Sequence, residues 1–152
     1  MDVPSGLDWK KNWEDYVDVT RRCASICEDA DLRYALEPHP YRHMSNTASM
    51  LRLIEHVDSN ALGINFDPSH LFPAGETPHV VIYQVAERIF HCQFSDNDGT
   101  TNVHWRPRRR QNRLGGGAGG PQGYGLRCVI SIELEDVPGV SRGLPQFLGR
   151  QG

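Results

Sequence analysis

Residues 61–70 read ALGINFDPSH, an apolar run that breaks off in Asp-Pro-Ser-His. A short apolar run bounded by turn residues predicts a buried strand, and this one delivers a carboxylate, Asp67, to its carboxyl end. Three other segments repeat the pattern. RYALEPHP (33–40) is strand-like up to Glu37 and is stopped by Pro38. RIFHCQF (88–94) carries Gln93 near its end and runs into the polar loop SDNDGT. CVISIEL (128–134) carries Glu133. Strands are therefore expected near 33–37, 61–67, 88–94 and 128–134. Helical patterns fill the intervals. From Asp8 to Ala30 the apolar residues Trp9, Trp13, Val17, Ala24 and Cys27 keep near-helical spacing. Thr47 is placed to cap a helix through Met50, Leu51, Ile54 and Val57, and Thr77 with Pro78 opens another through Val81, Ile82, Val85 and Ala86.

Strands alternating with helices predict βα units and a parallel sheet. Doubly wound and barrel folds both fit this rhythm, and the polar residues favour the barrel. Glu37, Asp67, Gln93 and Glu133 each stand near the carboxyl end of a different apolar strand. In a βα barrel those ends converge on one face, where the loops build the active site. Singly, each has an ordinary explanation, since Asp67-Pro68 is a common turn start and Glu37 borders a loop. Carboxylates at the ends of three apolar strands are a different matter, because burying a charge without a partner is expensive. Together the four supply oxygen ligands for a metal.

Composition limits the alternatives. The 152 residues are 38% hydrophobic and 23% charged, in the globular range. No apolar run approaches the roughly 18 residues of a spanning helix, and the opening MDVPSGLDWK lacks the blocks of a signal peptide, so a cytoplasmic protein without membrane contact is expected. Cys23, Cys27, Cys92 and Cys128 form no CxxC pair, which disfavours a thiolate zinc site and fits buried thiols. Net charge is −3, unevenly spread: residues 106–127 hold six arginines, no acid, and seven of the 15 glycines.

The stretches ALEPHP (35–40), GINFDPSH (63–70), RIFHCQFSDNDG (88–99) and VISIELED (129–136) resemble, in order, the last four strands of the xylose isomerase-like sugar isomerase/epimerase family. That family is a TIM barrel that also includes a branch of apurinic endonucleases. The resemblance covers about residues 8–107 and 128–143. It implies the C-terminal half of a (β/α)8 barrel, with the first four strands missing or on another polypeptide. It also implies a divalent metal held by Glu37, Asp67 and Glu133, with Gln93 where the family carries histidine. An all-oxygen set suits manganese first, then magnesium, with cobalt or zinc as further options. His91 is a backup ligand one layer deeper. His70 resembles the histidine that contacts substrate in the epimerases and metal in the endonucleases. His39 and His104 are weaker candidates to line the pocket, and His43, His56 and His79 are expected to face solvent. The implied reaction is isomerisation or epimerisation of a sugar or sugar phosphate through an enediolate, with Glu37 and Glu133 transferring protons. A dehydratase or endonuclease of the same superfamily is the enzymatic alternative. As a half barrel the chain is expected to show no turnover, and its exposed strand edges to favour a homo-oligomer.

Residues 108–128, RRRQNRLGGGAGGPQGYGLRC, do not fit this frame. An Arg/Gly tract elsewhere suggests nucleic-acid or partner binding, which is the non-enzymatic alternative; with Tyr124 as its one aromatic, stacking capacity is poor and nucleic acid is disfavoured. A set of codons allowed for these residues, read one base later, encodes GGGKIDWEAVLGALKDTGYD, the glycine loop and amphipathic helix that the family places here. The Arg:Lys ratio of 14:2 fits a GC-rich gene. A compensated frame slip is the preferred explanation, and a disordered segment is the other.

Overall fold

The computed structural model describes Gly6, residues 8–95, His104 and residues 128–134. Four strands, β1 (Tyr34–Leu36), β2 (Leu62–Phe66), β3 (Ile89–Phe94) and β4 (Val129–Ile132), pair in sequence order, and every pairing is parallel. Helices α1 (Trp9–Asp29), α2 (Thr47–Val57), the single turn α3 (Pro68–Leu71) and α4 (Pro78–Val85) occupy the intervals, and a 3₁₀ turn, Ala86–Arg88, leads into β3. The fold is α/β, four parallel strands with their helices, a partial βα barrel as expected. Most of the Arg/Gly tract lies outside the described residues, and only Cys128 of it is placed.

Helix α1 starts where Asp8 accepts hydrogen bonds from the amides of Lys10 and Lys11. It buries Trp13, Val17, Thr20 and Ala24 at alternating spacings of four and three. Trp9 and Cys27, expected on the same stripe, lie off it: Trp9 is 49% exposed and Cys27 is half-buried. Helix α2 buries Thr47, Met50, Leu53 and Val57. Its cap is Asn46 and not the expected Thr47. Asn46 accepts from the Ser49 amide, while the Ser49 hydroxyl accepts from the Asn46 amide. Thr47 is the first helical residue, and its amide and hydroxyl both donate to Glu76 at 2.9 Å.

Alternation along the strands separates two faces. Leu62, Ile64 and Phe66 of β2 join the helices in a core with Met50, Leu53, Leu71, Val81, Ile82 and Val85. The opposite face carries Ala35, Gly63 and Asn65. Strand β3 breaks the alternation. Ile64 pairs with Ile89 but Asn65 pairs with His91, so Phe90 is an extra residue in a β-bulge. The bulge explains why Ile89 and Cys92, three apart, are both buried in the core. It leaves Phe90, His91 and Gln93 on the other face. There the Phe90 ring covers Gly63, where a Cβ would come within 2.3 Å of a ring carbon. The Arg33 guanidinium lies 4.7 Å from the Phe90 ring centre.

The four cysteines are free thiols, with the sulfurs of Cys92 and Cys128 in contact at 3.4 Å. Among the described residues no helix is long and apolar enough to cross a membrane.

Candidate functional site

The strands deliver their polar residues to the face opposite the core. Glu37 follows β1 directly, and Pro38, which has no N–H to donate, prevents the ladder from running on. Asp67 stands between β2 and α3 as the cap of that turn. Its Oδ1 accepts the Ser69 amide at 2.8 Å, which leaves Oδ2 buried with no hydrogen-bond partner. Glu133 follows β4 and donates its amide to the Phe94 carbonyl at 3.2 Å, so the β3–β4 ladder fixes its backbone. One oxygen from each of Glu37, Asp67 and Glu133 lies within 4.8 Å of the others. Glu133 Oε2, like Asp67 Oδ2, is a buried acceptor without a hydrogen-bond donor.

Histidines border this group. His70, on α3, places Nε2 3.7 Å from Glu37 Oε1 and 3.9 Å from Asp67 Oδ2. His104 places Nδ1 3.5 Å from both Asp67 Oδ2 and Glu133 Oε2, and is hydrogen-bonded to Ser95 Oγ at 3.1 Å. The His70 ring packs between those of His39 and His104, at centroid distances of 4.5 and 4.8 Å. Asp67, His70 and His104 form a second group whose ligand atoms lie within 4.8 Å of one another. His104, expected only to line a pocket, therefore sits at the centre beside two carboxylates.

Gln93 joins through Asn65, a residue outside the strand-end pattern. Asn65, on β2 two residues before Asp67, donates its side-chain NH2 to Glu37 Oε1 at 3.3 Å and to Gln93 Oε1. A polar side chain inside an apolar strand, with the parity of Asp67, was the signal available for it. His91 is engaged elsewhere, hydrogen-bonded to Ser131 Oγ at 2.9 Å. Of the three histidines expected to face solvent, His79 is exposed. His56 is exposed but accepts the Trp13 indole N–H at 3.1 Å. His43 is half-buried, stacked between Trp9 and Tyr16, because the loop after β1 folds back on the start of α1.

Burial dominates the electrostatics. It pushes the Asp67 carboxyl up from its ordinary value, against the opposing pull of the Ser69 amide and the two histidines. Burial also pushes Glu133 up, and the charge of Glu37 pushes it further. Three carboxylates at this separation repel one another and two of their oxygens lack donors. A divalent cation satisfies both conditions, and the donor set fits a hard ion.

The family model described as xylose isomerase-like TIM barrel matches residues 3–125. Inosose dehydratase of Geobacillus kaustophilus (strain HTA426) is 26% identical over 84 residues, 55% of this chain and 27% of that protein. Among solved structures, a D-tagatose 3-epimerase-like protein matches with a TM-score of 0.68 at 22% identity, covering 93% of this chain and 55% of that one. The 3-keto-D-glucoside 4-epimerase YcjR from E. coli matches with a TM-score of 0.71 at 12% identity, covering 88% and 51%. This chain spans about half the length of those structures and about a quarter of the curated relative. At these identities the structural likeness establishes the fold.

Proposed function

The chain belongs to the xylose isomerase-like TIM barrel family, and from that premise we propose that its residues serve a metal-dependent sugar or sugar-phosphate isomerase or epimerase. The observation that carries this reading is the cluster of Glu37, Asp67 and Glu133, with two buried oxygens that lack donors. Glu37, Asp67, Gln93 and Glu133 would hold the ion, manganese for preference, with magnesium, cobalt or zinc as substitutes. Once bound, the ion supplies polarisation of a carbonyl and compensates the negative charge of an enediolate.

The remaining work falls to the protein. Glu37 and Glu133 follow different strands, β1 and β4, so a bound substrate would meet two independently placed carboxylates. One removes the proton beside the carbonyl and the other returns a proton to the adjacent position or the opposite face. The raised affinity of Glu133 for protons brings it closer to the working range of an acid or base. His39, half-buried, would offer a hydrogen-bonding group to substrate hydroxyls, with the buried His70 and His104 rings packed behind it.

Dehydration is the second reading, favoured by the name of the curated relative. It begins with the same proton abstraction and differs in expelling a hydroxyl from the next carbon. Exchange in D2O tests the shared step. In an eight-stranded protein assembled from this chain with its alternative-frame helix and the upstream half of a family relative, Mn²⁺ should promote deuterium uptake beside the ketone of D-ribulose or D-fructose. Glu37→Gln or Glu133→Gln should abolish it, and the four-stranded chain alone should bind Mn²⁺ without exchange. Uptake that survives both substitutions contradicts the assignment.

A further inference from the structure

Gln93 presents a difficulty that a histidine would not. An amide has an oxygen that attracts a cation and an NH2 that repels one, and rotation of the terminal bond exchanges them. A neutral ligating histidine is oriented by a partner on its other ring nitrogen. An amide needs something that decides which end faces the ion. We infer that Asn65 is that device: a positioning residue that fixes the polarity of Gln93, and whose own polarity is set by Glu37. This rests on the ligand set proposed above.

Glu37 is the group in this chain of contacts that has no choice of polarity. An ionised Glu37 only accepts hydrogen bonds. Asn65 lies 3.3 Å from its Oε1 and must present NH2 there, because an amide oxygen would meet a carboxylate oxygen. The second hydrogen of the same NH2 is directed to Gln93, which must answer with its oxygen. Oε1 of Gln93 is thereby held on the Asn65 amide with a further lone pair for a cation. Asn65 Oδ1 is buried with no hydrogen-bond partner, so no competing donor on that side accounts for the orientation. The backbone supports the relay. Asn65 pairs with His91 across the bulge, and the register returns Gln93 to the same face. A carboxylate just past β1 thus sets an amide on β2, which sets an amide on β3.

Dependence on Asn65 should vanish when residue 93 has no amide polarity to fix. Mn²⁺ affinity, followed by electron paramagnetic resonance, is to be measured for the unmodified chain, Asn65→Leu, Gln93→His and the double variant. Asn65→Leu should weaken binding about 10- to 100-fold with Gln93 present and less than about threefold in the Gln93→His background, a difference that general loosening of the site would not produce. Asn65→Asp, which obliges Gln93 to turn its NH2 towards the new carboxylate, should weaken binding at least as much. Equal loss in both backgrounds, or none, overturns the inference. A metal-free arm separates it from the assignment beneath. Glu37→Gln should shift the side-chain amide NMR signals of both Asn65 and Gln93, and in the Asn65→Leu chain should no longer move Gln93. If Gln93 still responds without Asn65, the relay is wrong. If the unmodified chain binds no Mn²⁺, the metal assignment fails while this arm still decides the relay.

Discussion

The two faces of the sheet are made by the same strands and obey opposite rules. On the helix side Leu62, Ile64, Phe66, Ile89 and Cys92 meet α2, α3 and α4 with almost no exposure. On the other side Glu37, Asn65, Asp67, Gln93 and Glu133 crowd acceptors together and leave several buried oxygens without a donor. The first face gains stability by removing apolar surface from water. The second face gives some of that gain back, since desolvation raises the cost of each charge it holds. The inner face thus has the character expected of the proposed metal site, and the apolar face carries the stability of the sheet.

The largest expected effect lies on the apolar face. Ile64→Ala removes a fully buried side chain from the centre of β2 and should lower the free energy of unfolding by about 2–5 kcal/mol in a denaturant titration, while any folded chain retains its Mn²⁺ stoichiometry. Gly63→Ala probes the packing of the face opposite the core. The added Cβ displaces the Phe90 ring at a cost of about 1–3 kcal/mol, and Phe90→Ala in the same chain should recover most of it.

The polar face should respond to pH in the direction set by its raised carboxyls. Asp67 and Glu133 bind protons more tightly in the folded chain than at their ordinary values of 3.8 and 4.5. Between those values and the raised ones the folded state holds more protons than the unfolded state, so stability falls as pH rises through the window and stays lower above it. Thermal melts in EDTA should show this decline, and Asp67→Asn should make it shallower. Melting temperatures that climb through the window would contradict the assignment of burial as the dominant cause. The smallest effect belongs to neither face. Lys11→Ala, which removes a solvent-screened ion pair with Asp15 on α1, should leave the denaturant midpoint almost unchanged.

Much of this division was legible in the chain. The apolar runs placed all four strands, and polar residues at their ends marked one face, because strand periodicity and the cost of buried charge both act locally. The Phe90 bulge was not legible. It depends on how β3 meets β2, and RIFHCQF reads equally well as an unbroken alternation. Asn65 lies inside β2 and not at its end, so the pattern of strand-terminal oxygens does not include it, although its parity with Asp67 is visible in the sequence. The cap of α2 shifted by one residue since Asn46 and Thr47 are both competent, and the reciprocal bond with Ser49 decides for Asn46. The closeness of His104 to Asp67 and Glu133 brings together three separate segments of the chain, which no local pattern encodes.

The most direct test of the inner face is calorimetric titration of Mn²⁺ into the metal-free chain beside Glu37→Gln, Asp67→Asn and Glu133→Gln. Each substitution keeps the size of the side chain and removes its charge. One saturable Mn²⁺ per chain, weakened at least about 100-fold by each of the three changes, is the expected result. Absence of saturable binding, or binding indifferent to all three, would contradict the claim that these strands meet to hold a cation.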